Sequence, residues 1–192
     1  MSYCVRLMGR GDIAQVAEID REAFFTQWPP INYGNELQNR LAHYIVASDE
    51  EETVGEPDEK AHPEGGFWGL VSKVRHLFNH ERFFGNTLPP SGRQYIYGFT
   101  GFWLMAGEAH ITNIAVWEKY RRQGIGELLL VSLIDLAMKL KAHIITLEVR
   151  ASNTEAQSLY YKYGFTQTGL RHGYYTDNGE DGVLMSTENV NS

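Results

Sequence analysis

The chain has little cysteine and no long uninterrupted apolar run. Cys4 is the only cysteine among 192 residues, which excludes an internal disulfide. This cysteine usage is typical of a reducing compartment, so we expect a cytoplasmic protein. No stretch approaches the roughly 18 apolar residues that a membrane-spanning helix needs. The first residues, MSYCVRLMGRGD, have no apolar signal core. The sequence therefore predicts a protein without a membrane span.

The chain also lacks a charge excess outside one short tract. Its formal net charge is −7 at pH 7. Residues 49–64 hold eight acidic residues and one lysine, while the remainder has sixteen acidic and sixteen basic residues. Because that remainder is neutral, the charge gives no reason to expect nucleic acid or an anionic membrane as a partner.

The length suits a single domain, residues 1–192, with 43% hydrophobic residues available for a core. We interpret residues at about 49–94 as an insertion, made of the acidic loop and an amphipathic helix with Phe67, Val71 and Val74 on one face. His76 and His80 have a spacing that can hold zinc, but no third ligand joins them in a known motif. We therefore predict a solvated helix face there and no metal site.

Strands and helices alternate along the rest of the chain. Asp12 is the predicted N-cap of a first helix, and a second, short helix is predicted at 35–41. The second half is predicted to hold a strand at 108–116, a helix at 125–140, a strand at 143–149, a helix at 154–163 capped by Asn153 or Ser152, and strands at 165–171 and 182–185. This alternation indicates an α/β fold with a mixed sheet.

A glycine-containing loop with two arginines joins the strand at 108–116 to the following helix. Its residues are Arg121, Arg122, Gln123, Gly124, Ile125 and Gly126. The first N–H groups of a helix have no intrahelical acceptor and favour an anion, and a glycine lets a phosphate approach the backbone closely. The loop lacks the Gly-Lys-Ser/Thr of a P-loop and the third glycine of a dinucleotide fingerprint. It predicts an anion site; the alternative is a tight turn with solvent-facing arginines.

This R-x-x-G-x-G loop, followed by LEVRASNTEAQSLYYKYGF at 147–165, resembles the GNAT acyltransferase superfamily. Within it, the combination is similar to the bacterial ribosomal-protein-alanine N-acetyltransferase family, as is the tail LRHGYYTDNGEDGVLM at 170–185. The resemblance implies a mixed central sheet that splays where CoA enters, with flanking helices. It also implies acetyl-CoA as co-substrate, and acetylation of an amine such as the N-terminus of a ribosomal protein.

The resemblance implies a set of cofactor-binding residues. The loop at 121–126 would hold the pyrophosphate, and Asn153 would contact CoA as well as cap its helix. The strand residues Ile114, Ala115 and Val116 would offer backbone groups to the pantetheine arm, and a backbone N–H there would polarise the thioester carbonyl.

Glu148 is the candidate general base. Ile145, Leu147 and Val149 share one face of their predicted strand, so Glu148 points to the other face. A carboxylate in an otherwise apolar strand needs an explanation. By spacing alone, a structural ion pair with Arg150 or another arginine is equally good. The resemblance favours the base, acting directly or through a water molecule.

Three tyrosines and a histidine complete the candidate site. Tyr160, in A-x-x-L-Y, would by resemblance be the general acid for the leaving thiolate. Tyr174 and Tyr175 would close over the acceptor; cross-strand packing is the alternative. His110 is either an auxiliary base or, as we favour, a buried hydrogen-bonded side chain.

The sequence leaves several hypotheses about function open. An N-terminal α-amine leads, with a lysine or a small amine as alternative acceptors. A non-catalytic acyl-CoA-binding module is the alternative from another class. Nothing in the sequence indicates an oligomeric state.

Overall fold

The computed structural model describes residues 3–24, 30–49 and 94–188, which form helices packed on both faces of a sheet. In chain order the elements are β1 (Tyr3–Leu7), α1 (Ile13–Ala23), α2 (Tyr33–Glu36), β2 (Ala42–Asp49), β3 (Ile96–Met105), β4 (Glu108–Val116), α3 (Ile125–Lys139), β5 (Ile144–Arg150), α4 (Thr154–Lys162), β6 (Phe165–Tyr175) and β7 (Glu180–Thr187). The sheet order is β1-β2-β3-β4-β5-β7-β6, and of these neighbouring pairs only β4 and β5 are parallel. The predicted mixed α/β architecture is confirmed.

Strands β4 and β5 pair only over their first residues. Pairing runs from Glu108 opposite Ile144 to Ile111 opposite Leu147, where it ends. The next residue of β4, Thr112, is an extra residue in the register with β3, where Asn113 and Ile111 face consecutive partners. Such a bulge bends its strand and increases the twist. The strands therefore diverge after Ile111, and the predicted splay is confirmed.

The bulge also changes which residues of β4 face which layer. Ala109 and Ile111 pack in the core under α3 and α4 before the bulge, and Ile114 and Val116 pack against that core after it. Ala115 packs in the second core, under α1 and α2. One inserted residue exchanges the faces of a strand because side chains alternate. His110 and the buried Asn113 consequently share the face that is covered by α1 and α2.

Asp12 is the N-cap residue of α1, as predicted, but its side chain makes no capping hydrogen bond to that helix. Residues Arg10–Asp12 form a 3-10 turn, so the backbone of Asp12 is already helical. Its carboxylate turns back to accept from the Arg6 guanidinium at 2.7 and 2.9 Å and from the Gly9 N–H at 2.7 Å. The side chain therefore anchors β1 instead of capping α1.

Other local predictions are confirmed or shifted. Asn153 caps α4, since its Oδ1 accepts from the Ala156 N–H at 3.1 Å. Helix α2 lies earlier than predicted because Asn32 caps it through the Asn35 N–H. Strands β6 and β7 extend beyond the bounds predicted from their apolar residues, 165–171 and 182–185.

The chain leaves the sheet at Asp49 and returns to it at the same place. Asp49 Oδ1 accepts from the Tyr95 N–H at 3.2 Å, and the Ser48 hydroxyl donates to Gln94 Oε1 at 3.4 Å. The predicted acidic loop, the amphipathic helix, and His76 with His80 lie outside the described residues, so the insertion and the single-domain boundaries stay predictions. Among the described residues, no helix is both long and apolar enough to cross a membrane.

Candidate active site

Glu148 lies in β5 with both carboxylate oxygens paired. Oε2 lies 3.0 Å from His110 Nε2, and Oε1 lies 2.9 Å from an Arg171 guanidinium nitrogen. The side chain of Glu148 is 10% exposed. The hydrogen bond from His110 holds the pKa of Glu148 below its ordinary value, although burial opposes this. The carboxylate is therefore ionised, and it makes the ion pair with an arginine that the sequence left open, with Arg171 instead of Arg150.

His110 connects Glu148 to a second carboxylate. Its Nδ1 lies 2.9 Å from the Thr146 hydroxyl, which donates to Glu108 Oε1 at 2.7 Å. Because that hydroxyl gives its proton to Glu108, its oxygen can accept from His110. The hydrogen bond to Glu148 raises the pKa of His110, against the effect of burial. The arrangement suits a doubly protonated imidazolium ring, which is hydrogen-bonded as predicted but only half-buried.

Arg171 joins Glu148 to the last hairpin. It lies in β6, with its guanidinium carbon 5.3 Å from the centre of the Tyr174 ring. Tyr174 is exposed, and it packs so closely on Gly182 that a Cβ there would lie 2.9 Å from the ring. Tyr174 therefore has the predicted cross-strand packing and also borders the Glu148 site.

Tyr175 lies at the end of β6, half-buried beside Arg150. Burial raises its pKa to about 12, and the charge of Glu148 contributes to the rise. The ring of Tyr175 also lies 4.0 Å from the guanidinium carbon of Arg150. Arg150 is held by Asp177 at 2.9 Å and by Glu180 at 3.2 Å, which fixes the turn between β6 and β7.

Tyr160 lies on the opposite face of the sheet from Glu148. It belongs to the core under α3 and α4, together with Leu147 and Val149, and its ring packs against Phe165 at 5.7 Å. Burial raises the pKa of Tyr160, and Tyr175 adds to this effect. A single substrate can reach both Tyr160 and Glu148 only through the opening between β4 and β5.

The loop before α3 has the backbone that its glycines predict. Gly124 has φ +82° at the N-cap of α3, in the left-handed region that disfavours other residues. A Cβ on Gly126 would only touch Val116 Cγ2 at 3.9 Å, so the protein itself leaves room for a methyl group there. The first turn of α3, with its free N–H groups, thus lies beside residues without side chains, which suits a phosphate.

The remaining loop side chains have definite contacts. The Arg121 guanidinium donates to the Val116 carbonyl at 3.2 Å, and Arg122 pairs with Glu155 at 2.9 Å with both side chains mostly exposed. The side chain of Gln123 accepts from the Tyr3 hydroxyl at 3.0 Å. Arg122 also has a positive φ of 64°. Arg121 and Arg122 therefore lie just before the start of α3, where their guanidinium groups can turn toward an anion.

The structure brings the predicted residues into two connected groups. The first group lies along the opening and consists of the loop at 121–126 and the part of β4 that β5 does not pair, Ile114 to Val116. The second group borders the opening on the α1 side and consists of Glu148, Tyr174 and Tyr175. Sequence reasoning missed Arg171 and Thr146 as partners of this site. The register of the strands decides which positions of β6 and β5 lie beside Glu148. The sequence alone therefore gives no separate sign that Arg171 and Thr146 belong to the site.

Comparisons with known proteins show the family to which the chain belongs. The model of the acetyltransferase (GNAT) family matches residues 58–165, beginning inside the segment interpreted as an insertion. A Bacillus subtilis (strain 168) protein, provisionally named as a ribosomal protein bS18-alanine N-acetyltransferase, is 34% identical over 182 residues, which cover 94% of this chain and 92% of that protein. The Escherichia coli (strain K12) ribosomal protein bS18-alanine N-acetyltransferase is 39% identical over 108 residues, covering 55% of this chain and 72% of that protein.

Among solved structures, Arabidopsis thaliana NAA60 in complex with acetyl-CoA is similar in fold. Its TM-score is 0.70 at 17% identity, with 100% of both chains covered. The family match spans more than half of this chain, and the Bacillus subtilis relative aligns almost from end to end. The chain therefore belongs to the GNAT acetyltransferase family, and it is an N-acyltransferase that uses acetyl-CoA.

Proposed function

We propose that this enzyme acetylates the N-terminal α-amine of a ribosomal protein, with the N-terminal alanine of bS18 as the leading acceptor. The observation that carries the proposal is the 34% identity to the Bacillus subtilis relative over 94% of this chain. The Escherichia coli relative is named for the same acceptor and supports the proposal over 108 residues. An acceptor on the ribosome would place the reaction in the cytoplasm.

The protonation state of the acceptor supports an α-amine over a lysine. Only the neutral amine attacks a thioester. At pH 7, deprotonation costs about 1.4 kcal/mol for an α-amine of pKa near 8, and about 4.6 kcal/mol for a lysine. The pKa of Glu148 is held low, so Glu148 is a weak base. A weak base suits the easier of these two deprotonations.

In the proposed mechanism Glu148 accepts the proton that the amine loses, directly or through a water molecule. The imidazolium of His110 and the guanidinium of Arg171 keep the carboxylate ionised and orient it. Tyr174 and Tyr175 border the approach to Glu148 and would pack against the first residues of the acceptor. A short, uncharged first side chain such as that of alanine fits beside this crowded carboxylate.

The donor side of the mechanism rests on the opening between β4 and β5. Backbone groups of Ile114, Ala115 and Val116 on the β5 side would hydrogen-bond the pantetheine arm, and an N–H there would stabilise the developing oxyanion. The loop at 121–126 would hold the pyrophosphate, and Asn153 would contact CoA from the start of α4.

Tyr160 would protonate the departing thiolate. Its raised pKa makes it a weak acid, but the apolar surroundings that raise it would also desolvate the thiolate and raise the thiol's own pKa. The two shifts partly cancel, so the transfer is feasible over a short hydrogen bond.

The test is turnover with a matched set of peptides. We expect acetylation of a peptide with the N-terminal sequence of bS18, and none of the same peptide with a blocked N-terminus and an internal lysine. A spermidine-like amine tests the small-amine alternative. If the chain binds acetyl-CoA but acetylates none of these acceptors, it is a binding module and the proposal is wrong.

A further inference from the structure

A buried carboxylate that the mechanism does not use lies on the α1 side of the sheet. Asp20, in α1, is only 6% exposed, and its Oδ1 is buried without a hydrogen-bond partner in the part of the chain that the structure describes. Burying a carboxylate oxygen without a partner costs stability. An asparagine or an apolar residue would cost less at this position, so the cost needs an explanation outside the stability of the fold.

Two donors face the carboxyl group of Asp20. Burial raises the pKa of Asp20, and the neighbouring polar groups of Tyr33 and Asn113 offset only part of that rise. The Asn113 amide also donates to the Tyr33 hydroxyl at 3.1 Å. Tyr33 and Asn113 are themselves buried, at 2% and 5% exposed, and Tyr44 adds to the same environment. Asp20, Tyr33 and Asn113 therefore form one buried polar cluster that joins α1, α2 and β4.

This cluster ends on the bulge that opens the sheet. Asn113 directly follows Thr112, the extra residue after which β4 and β5 separate. The Thr100 hydroxyl donates to the Asn113 carbonyl at 2.8 Å, and the Thr112 hydroxyl lies 3.1 Å from the Gly101 carbonyl. The position of Asn113 thus sets where the following residues, Ile114 to Val116, present their backbone.

We propose that Asp20 is a positioning residue for acetyl transfer. Through Tyr33 and Asn113 it holds the β4 bulge, and with it the backbone that faces the thioester, at a cost in stability. The inference rests on the proposed function only for the acceptor used in the assay. It assigns no contact between Asp20 and either substrate.

The decisive variant is Asp20→Asn, which keeps the shape but removes the charge and replaces an acceptor by a donor. We expect Tm to rise by about 2–4 °C, as loss of a buried charge allows. We expect kcat to fall about 10-fold to 100-fold, the scale of a small misplacement at a reacting centre. The Kd for acetyl-CoA should stay unchanged, since the phosphate loop is not involved.

A second variant and a matched control separate positioning from packing. Tyr33→Phe should lower kcat in the same way, and the double variant should be no worse than the poorer single one. Asp135→Asn, in α3, alters a buried carboxylate that pairs with Lys139 at 2.9 Å; it should lower Tm and leave kcat unchanged. Unchanged kcat in Asp20→Asn, or a fall in both Tm and kcat, overturns the proposal.

A readout without acceptor keeps this inference apart from the proposed function. The carbonyl stretch of isotope-labelled acetyl-CoA bound to the enzyme reports the hydrogen bond at the thioester. We expect the stretch to move to higher frequency in Asp20→Asn. If the wild type acetylates no peptide but this shift occurs, the acceptor assignment fails and the positioning role stands; an unmoved stretch overturns the role itself.

Discussion

The two faces of the sheet differ in what they hold. The face under α3 and α4 is almost wholly apolar, with Leu129, Leu130 and Leu133 completely buried, and its buried Ser132 is satisfied by the Leu128 carbonyl at 2.7 Å. The face under α1 and α2 carries Glu148, His110 and the Asp20 cluster. The first face supplies hydrophobic stabilisation, and the second gives up part of that stabilisation to hold charges in fixed positions.

The largest expected effect tests the apolar face. Leu133→Ala should lower the free energy of unfolding by about 2–5 kcal/mol, because it leaves a cavity in a fully packed core. We expect the kcat of the folded enzyme to stay unchanged because Leu133 is not one of the proposed catalytic or cofactor-binding residues, although it shares its core with Tyr160. Chemical denaturation and steady-state kinetics well below Tm measure the two quantities. A kcat loss that persists at low temperature would show that the two faces are not independent.

The next effect tests the polar face. Glu148→Gln should lower kcat by about 100-fold or more, as loss of a general base does, with little change in the Kd for acetyl-CoA. The control is Glu18→Gln, which replaces an exposed carboxylate on α1 by an amide and should have no effect. Comparable turnover in Glu148→Gln and the control would leave Glu148 with a structural role only.

A smaller effect tests the proposed phosphate site at the start of α3. Gly126→Ala should leave Tm unchanged, because the added methyl group would meet only Val116 Cγ2 at 3.9 Å. It should weaken acetyl-CoA binding about 10-fold, or about 1.4 kcal/mol, if a phosphate approaches this backbone. Isothermal titration measures the affinity. Gly124→Val is a less clean probe, because φ +82° strains a β-branched residue whether or not CoA binds. Retained tight binding in Gly126→Ala would place the phosphates elsewhere.

The smallest effect compares two carboxylates by pH. The pKa of Glu148 lies below its ordinary value of 4.5, so the contribution of Glu148 to stability is present above that pH and is lost in acid. Burial holds the pKa of Asp20 above its ordinary value of 3.8, so the cost of Asp20 to stability is absent in strong acid and grows as pH rises through the raised pKa. Relative to wild type, Glu148→Gln should therefore be most destabilised at neutral pH, while Asp20→Asn should be most stabilised there. Parallel pH curves of Tm for the two variants would contradict this difference.

The elements of the second half were predictable because local signals agree with one another there. The strand Glu108–Val116 and the start of α3 at Ile125 lie where apolar spacing and Gly124 place them. The N-terminal predictions were poorer. Asp12 is the N-cap residue that its side-chain type predicts, but the 3-10 turn and the ion pair with Arg6 of β1 decide what its carboxylate does.

The candidate site was predictable as a set of residues but not as a network. Alternation placed Glu148 on the polar face, and the motif pointed to Tyr160 and the loop at 121–126. The pairing with His110 and Arg171 depends on the register of β4, β6 and β7 against β5, which involves residues far apart in the chain. Local spacing carries no information about such a register.

By itself the sequence determined the alternating elements, the glycine loop at a helix start and the residues able to bind an anion or carry a proton, since these depend on neighbours within a few positions. Only the tertiary structure decided that β4 and β5 part after Ile111 and that Glu148 and Tyr160 lie on opposite faces of the sheet. It also decided that Asp20 is buried, with one carboxylate oxygen that has no hydrogen-bond partner among the described residues. The physical reason is that burial, strand register and the bulge at Thr112 arise from packing between distant segments, where the cost of one group is offset by contacts elsewhere in the molecule.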